Sequence, residues 1–400
     1  MLRQAVILVG GLGTRLGERT RAVPKPMLEV GGQPFLDTLI DEVARYDLFD
    51  EILLLAGHKA ELVETRYSGA SRGRARIIVS RETEPLGTAG ALVHASPLLH
   101  DRFLLLNGDS LFDFNLLDLI AHARADGVHM ALRAGVEGDR YGRVVLEGDV
   151  VRAFVAPGAG ATGPVNAGVY VVNKSVVAGI TTLPASLEQD VFPSLVAQDA
   201  LHGTAYRGYF IDIGIPEDLA RADRELREKL RRPAVFFDRD GVLNHDSGYA
   251  YEADKLEWID GAREAVKAVN DAGYFAFVIT NQSGIARGYY EEQHVVALHR
   301  WMADQMALIG AHIDAFEYCP DHPDGTIARY CRTSDRRKPA PGMITDLVTR
   351  FPVDMSRSMV IGDKASDMEA AQAAGVAGHL FEGGNLEAYV RERLGSTGKA

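Results

Sequence analysis

The run Ala5-Val-Ile-Leu-Val9 passes directly into Gly10-Gly11-Leu12-Gly13-Thr14-Arg15-Leu16. Five consecutive apolar residues closed by glycines read as a buried strand followed by a turn whose backbone amides no Cβ shields. In α/β sheets, ligands bind at the carboxyl ends of the strands, so this turn is a candidate polyphosphate cradle, with Gly10, Gly11, Gly13 and Thr14 lining it and Arg15 adding a cation. The pattern is neither a Walker A loop, which needs Gly-Lys-Ser/Thr, nor the dinucleotide G-x-G-x-x-G with its downstream ribose acid.

Outward from this turn, EILLLAG at 51–57, ARIIVS at 75–80 and RFLLLNGD at 102–109 alternate with amphipathic stretches. That rhythm predicts a doubly wound, mostly parallel sheet. Between about 128 and 173, VHMALRAG, RVVLEG and NAGVYVVN follow one another too closely for crossover helices, which predicts an antiparallel excursion and hence a mixed sheet. Residues 216–232 read as a helix, with Pro at its first position, acids early and Lys/Arg late. Pro233 ends it and marks the expected boundary between a domain at 1–232 and another at 233–400. Beyond it AVFF at 234–237, YFAFVITN at 274–281, HIDAFEYC at 312–319 and SMVIGDK at 358–364 form a second α/β series. The fold class is thus α/β with two doubly wound, Rossmann-like domains, the first a mixed sheet and the second parallel.

The chain has 400 residues, 43 Lys+Arg against 55 Asp+Glu and a formal charge of -12. Two domains suit that length. An acidic chain is a poor partner for nucleic acid or anionic membrane, so small-molecule substrates are expected, their phosphates held by locally placed cations. Only two cysteines, Cys319 and Cys331, are present, which excludes a disulfide framework and points to the cytoplasm. The first apolar run stops in glycines and no run approaches a membrane span, so neither export nor membrane insertion is expected. Oligomeric state is not legible.

Two further features sharpen the N-terminal site. Pro24-Lys25-Pro26 fixes the backbone on both sides of one lysine, a placement suited to stabilising charge as a phosphate reacts. Asp109 and Asp212 stand at strand ends; either alone is an ordinary turn cap, but together they can hold Mg2+ with phosphate oxygens. With GGLGTRL at 10–16, PKPM at 24–27, Glu84-Pro-Leu-Gly87-Thr-Ala-Gly90, Asn166-Ala-Gly168-Val-Tyr170 and FIDIGIPED at 210–218, nearly all of 1–225 resembles the sugar-1-phosphate nucleotidyltransferases. Within them Asp139-Arg140-Tyr141-Gly142 and the YFIDIG run are similar to the heptose 1-phosphate guanylyltransferases. The resemblance implies that Arg15 and Lys25 grip a triphosphate, Asp109 and Asp212 ligate Mg2+, Gly87 lies against the base, and Asn166 and Glu188 address the sugar. Relatives commonly carry a lysine for the sugar phosphate where Phe154-Val155-Ala156-Pro157 stands here; Arg140 and Arg152 are the candidate replacements.

The second series opens on Asp238-Arg239-Asp240-Gly241-Val242, two carboxylates at i and i+2 that an extended backbone aims at one pocket. The first can attack phosphorus and the second can move the protons. An EF-hand would need further acids and a distal Glu at fixed offsets, which His245 and Asp246 do not supply. Thr280-Asn281, Lys338 before Pro339 and Gly362-Asp363-Lys364-Ala-Ser-Asp367 follow in order, and over about 234–385 the set resembles the haloacid dehalogenase phosphatases. That implies Asp238 as nucleophile, Asp240 as general acid/base, Thr280 and Lys338 on the transferring phosphoryl, and Mg2+ on Asp238, Asp363 and the Asp240 carbonyl, with Asp367 orienting Lys338 or the metal shell. Finer features, including Gly248-Tyr249, TNQSGIARG at 280–288 and Arg337-Lys-Pro, are similar to the heptose-1,7-bisphosphate 7-phosphatases and the related histidinol-phosphate phosphatases. Asn281, Gln282, Ser283, Arg287 and Arg337 then become candidates for the sugar or its distal phosphate.

Both phosphatase groups usually carry a zinc loop, Cys-x-His then Cys-x-Cys before Arg-Lys-Pro. Cys319-Pro320-Asp321-His322 stands in the first half and Ser334-Asp335-Arg336 in the second, with Cys331 displaced upstream. Three ligands at most fall short of the usual four, so a metal-free loop packed by Tyr318 and Tyr330 is expected and zinc is not. The leading expectation is a bifunctional enzyme of nucleotide-activated heptose synthesis, with Mg2+ in both domains. Alternatives are another sugar 1-phosphate with UTP or dTTP fused to a histidinol-phosphate-like phosphatase, and one domain as a non-catalytic relic.

Overall fold

The computed structural model describes residues 2–11, 13–135, 141–158 and 162–397. The chain forms two compact units, Met1–Lys229 and Leu230–Ala400. The helix read at 216–232 spans Pro216–Lys229. Residues after it already belong to the second unit: Arg232 N–H donates to the Pro352 carbonyl at 3.0 Å and its own carbonyl accepts from Asp354 N–H at 2.7 Å.

The first unit is a ten-stranded mixed sheet in the order Arg143–Glu147, Val150–Val155, Leu201–Tyr206, Val128–Arg133, Val165–Asn173, Arg102–Asn107, Gln4–Leu8, Glu51–Ala56, Ala75–Arg81 and Ser71–Arg72. The strand Gln4–Leu8 lies parallel between Arg102–Asn107 and Glu51–Ala56, with Leu8 opposite Asn107 and Leu55. This register sets the glycine turn beside the Asn107-Gly-Asp109 strand end. Gly108 is required there, since a Cβ would lie 2.2 Å from the Leu8 carbonyl oxygen. Val165–Asn173 runs antiparallel to both neighbours, which is the excursion the spacing predicts. Val6, Leu53, Phe103, Leu105 and Tyr170 belong to one buried cluster of this unit.

Leu201–Tyr206 is a strand the sequence reading passed over. LHGTAY lacks an apolar run, yet it lies parallel to Val128–Arg133, and His129 and His202, opposite each other in the register, are both buried.

In the second unit five parallel strands stand in the order Ala315–Cys319, Phe275–Asn281, Ala234–Phe237, Met359–Gly362 and Ala377–Leu380. Successive residues of AVFF feed opposite faces, as a period of two requires: Val235 and Phe237 join one buried cluster, Ala234 and Phe236 another. Ala377–Leu380 (AGHL) was also missed, being an edge strand without a continuous apolar run. All five run the same way, so their carboxyl ends gather Asp238, Asn281, Cys319 and Asp363 at one edge.

Candidate functional sites

In the first unit the glycine turn is shaped by close approach. Gly10 packs where a Cβ would sit 3.2 Å from the Gly57 amide nitrogen, and Gly13 has φ +58 with a would-be Cβ 2.7 Å from Thr20 Cγ2. Thr20 Oγ1 donates to the Gly13 carbonyl at 3.1 Å. A Cβ on Gly11 would meet nothing within 4 Å, leaving its face open. Arg15 is exposed and makes no ion pair with a described residue. Leu12 and the side chain of Thr14 lie outside the described residues.

Lys25, in the turn Lys25–Met27, is buried. Its Nζ donates to Asp109 Oδ2 at 2.6 Å and lies 3.9 Å from Asp212 Oδ1. The two strand-end carboxylates, separated by over a hundred residues in sequence, thus face one point. Asp212 Oδ1 also accepts from the Gly214 amide at 2.5 Å. Both aspartates stay partly open to solvent, and two converging carboxylates beside the glycine turn fit a divalent cation.

Asn166 is occupied in shaping the strand: it donates to the Tyr170 hydroxyl at 2.9 Å and accepts from the Gly168 amide at 3.0 Å, across a break in register. Burial pushes the Tyr170 hydroxyl upward, and the Glu188 charge nearby adds to it. Glu188 accepts from Ser186 Oγ at 3.1 Å and Thr88 Oγ1 at 3.4 Å. Gly87 has φ +79, and a Cβ there would lie 2.4 Å from the Ala185 carbonyl oxygen. That oxygen accepts from the Ala89 and Gly90 amides, so Gly87 joins the start of helix Gly87–His94 to the segment carrying Glu188. Sequence reasoning missed the buried, unpartnered Asn107 Oδ1 and Ser110 Oγ beside Gly168. Of the two candidates for the absent lysine, Arg152 forms exposed ion pairs with Glu147 and Asp199, and Arg140 lies outside the described residues.

In the second unit a cavity of about 500 Å3 is lined by Asp238, Asp240, Thr280, Gln282, Lys338 and Asp367 among others. The i, i+2 spacing does aim both carboxylates of the opening motif into it. Lys338 Nζ lies 2.7 Å from both Asp238 Oδ1 and Asp367 Oδ1 and donates to the Ile279 carbonyl at 3.0 Å. Burial works against the Lys338 charge, but the two aspartates hold its pKa above the ordinary lysine value. Burial raises Asp238, with Asp367 pushing the same way and Lys338 opposing.

Asp238, Asp363 and Asp367 bring carboxylate oxygens within 4.8 Å of one another, and Asp363 Oδ1 is buried without a partner. That acid cluster fits a divalent cation. The side chain of Asp240 stands apart from it, bound by Arg239, Asn244 and Gln282, which leaves only its carbonyl for the expected metal role. Gly241, at φ +94, is required because a Cβ would lie 2.2 Å from Asp363 Oδ2.

Asn281 uses both ends of its amide on the Lys338 backbone, at 3.0 and 3.1 Å, and so positions the lysine. Gln282 donates to Asp240 Oδ2 at 3.0 Å and Thr280 Oγ1 at 2.9 Å. Ser283 and Arg337 line the cavity. Arg287 sits beside His322, 3.5 Å from its Nε2, and is not part of the lining. Lys364 Nζ reaches Asp246 at 3.1 Å and ties the loop carrying Tyr249 to the rim.

Among the described residues Cys319, His322 and Cys331 form no group within metal-ligand reach. His322 Nδ1 accepts from the Asp324 amide at 3.0 Å, and Cys331 Sγ lies 3.2 Å from the Pro323 carbonyl; the side chain hydrogen-bonded to Cys319 is Ser334. Tyr318 and Tyr330 both donate to Glu292, a residue the sequence reading did not single out.

Residues 4–229 match the family model "Nucleotidyl transferase" and residues 335–395 match "HAD-hydrolase-like". Over 164 residues, 41% of this chain, it is 51% identical to the D-glycero-beta-D-manno-heptose-1,7-bisphosphate 7-phosphatase of Rhodopseudomonas palustris, covering 91% of that protein. It is 44% identical over 147 residues, 37% of this chain, to the D-glycero-alpha-D-manno-heptose-1,7-bisphosphate 7-phosphatase of Burkholderia mallei, covering 78% of it. The crystal structure of HddC from Yersinia pseudotuberculosis superposes with a TM-score of 0.51 and 28% identity, over 56% of this chain and all of that one. No described helix is long and apolar enough to cross a membrane. Through residues 4–229 the chain belongs to the nucleotidyl transferase family, and it continues into a phosphatase of the haloacid dehalogenase type, so it is a fusion of two enzymes.

Proposed function

We propose that the second unit removes the 7-phosphate of D-glycero-D-manno-heptose 1,7-bisphosphate, and that the first transfers GMP from GTP to the resulting heptose 1-phosphate with release of pyrophosphate. The observation that carries this reading is the 51% identity to a heptose-bisphosphate phosphatase, fused in one chain to a nucleotidyl transferase that would use its product. On this reading the working domains are the two units that divide at Lys229/Leu230, three residues before the boundary expected at Pro233, and they act in the cytoplasm, where the free Cys319 and Cys331 are at home.

In the second unit the Asp238 carboxylate attacks the 7-phosphorus, giving an aspartyl-phosphate as the C7 oxygen leaves with a proton from Asp240. Asp240 then takes a proton from water, which attacks the same phosphorus, breaks the acyl-phosphate bond and frees phosphate. Thr280 and Lys338 hold the phosphoryl oxygens, and Ser283, Arg287 and Arg337 are the candidates for the sugar or its distal phosphate, of which Ser283 and Arg337 line the cavity. In the first unit an oxygen of the sugar 1-phosphate attacks the α-phosphorus in line as the bond to the β-phosphate breaks, a step that needs positioning and charge neutralisation rather than a protein nucleophile. Arg15, Lys25 and the amides of Gly10, Gly11, Gly13 and Thr14 take the triphosphate, Gly87 borders the base, and Asn166 and Glu188 face the sugar. Bound Mg2+ would neutralise phosphate charge, held by Asp109 and Asp212 in the first unit and by Asp238, Asp363 and the Asp240 carbonyl in the second.

Pyrophosphate release from heptose 1-phosphate with GTP, UTP or dTTP tests base and sugar together. The reading expects GTP to be preferred by at least about tenfold; equal or better use of UTP or dTTP refutes the assignment of GTP. Since similar phosphatases carry both anomeric names, both anomers belong in the assay.

A further inference from the structure

Lys25 stands where a cation bound between Asp109 and Asp212 would stand. Its ammonium is 2.6 Å from Asp109 Oδ2 and 3.9 Å from Asp212 Oδ1, and its side chain is only 7% exposed. A buried cation needs a partner, and these carboxylates supply it. Mg2+ binds carboxylate oxygen at about 2.0–2.1 Å, so an ion on the same oxygens would crowd the ammonium, and like charges at that separation repel strongly. Gly214 walls one side, a Cβ there falling 3.2 Å from Lys25 Nζ, while Gly13 of the phosphate cradle adjoins the lysine stem, its would-be Cβ 3.4 Å from Lys25 Cβ. Pro24 and Pro26 hold the backbone, so a displacement of the ammonium toward a phosphate has to run through the side-chain torsions.

We propose that Lys25 is the standing counter-ion of Asp109 and Asp212, so that a divalent cation enters this site only together with a nucleoside triphosphate, whose charge draws the ammonium away. The proposal rests on the nucleotidyl-transfer reading of the first unit. In the second unit Lys338 likewise bridges Asp238 and Asp367, and Lys364 Nζ lies 3.7 Å from Asp363 Oδ2, while Asp363 Oδ1 is buried without a hydrogen-bond partner.

The test is Mn2+ binding to the full chain by electron paramagnetic resonance, in an Asp363→Asn background that weakens the second site. Without nucleotide this parent should bind Mn2+ weakly, and Lys25→Met and Lys25→Gln should each bind it at least about tenfold more tightly. Lys25→Arg, which keeps a cation there, should show no gain, and neither should Arg15→Gln, an exposed charge outside the pair. Adding Asp109→Asn to Lys25→Met should cancel the gain. The proposal is overturned if Lys25→Met and Lys25→Gln bind no better than the parent, if Arg15→Gln gains as much, or if the gain survives loss of Asp109. Failure of the underlying reading shows separately, as no pyrophosphate release by the wild-type chain, because the Mn2+ titration requires no turnover.

Discussion

Arg239 closes on its neighbour Asp240 with a fully buried guanidinium, 2.9 Å from Oδ2 and 3.0 Å from Oδ1. The same group donates to the Ala250 carbonyl at 2.7 Å and faces His299 Nε2 at 3.4 Å. Burial first, and the Arg239 charge second, hold His299 well below its ordinary pKa, so it stays neutral. Removing one member of a buried ion pair costs up to about 3–5 kcal/mol. Arg239→Met should therefore lower the stability of the second unit by about that much and reduce phosphate release, leaving pyrophosphate release unchanged. Denaturant unfolding with both assays checks it.

Gly87→Ala places a methyl 2.4 Å from the Ala185 carbonyl oxygen at φ +79. The left-handed backbone alone costs about 1–2 kcal/mol for a residue with a Cβ, and the clash must move the segment bearing Glu188. The expected result is a KM for the sugar 1-phosphate raised more than kcat is lowered, read from pyrophosphate release at varied acceptor concentration.

Glu292 accepts hydrogen bonds from Tyr318 and Tyr330, and these hydroxyls hold its carboxyl below the ordinary value. A depressed carboxylate adds stability above its unfolded pKa and loses it as pH falls through the folded one, so this clamp is intact at neutral pH. Glu292→Ala should loosen residues 318–330 and raise the phosphatase KM several-fold through Arg337, which donates to the Asp321 carbonyl at 3.2 Å. Because His322 and Cys331 point to other partners, a zinc chelator with Mg2+ in excess should leave phosphate release unchanged.

Burial, with His202 nearby, lowers His129 to about 4. A histidine depressed on folding imposes no penalty above about pH 6.5, where it is neutral in both states. Below that the unfolded chain gains the proton first, and stability falls by up to about 1.4 kcal/mol per pH unit until pH reaches about 4. Denaturant melts of the first unit at pH 7.5 and 5.5 should show this loss, and His129→Gln should reduce it.

The strands that lead to the sites were legible because AVILV and AVFF are unbroken apolar runs ending in glycine or aspartate. LHGTAY was not, since its burial rests on a histidine pair that no apolar pattern announces. The acids and lysines of both sites were readable from motif order, but the meeting of Lys25, Asp109 and Asp212 depends on three chain segments whose proximity only the sheet register sets. The role of Arg239 is not legible in its motif, because a charged residue between two aspartates reads as exposed until the fold buries it. Glu292 begins the helix Glu292–Ala307, where an acid is an ordinary first-turn residue, and nothing in the sequence ties it to tyrosines more than twenty residues on.

The most direct test of the account is mass spectrometry of the products after the purified chain is incubated with heptose 1,7-bisphosphate, GTP and Mg2+. The account predicts phosphate, pyrophosphate and a GDP-heptose, with Asp238→Asn stopping at unreacted bisphosphate and Lys25→Ala accumulating heptose 1-phosphate. A wild-type reaction that yields neither phosphate nor pyrophosphate would contradict it.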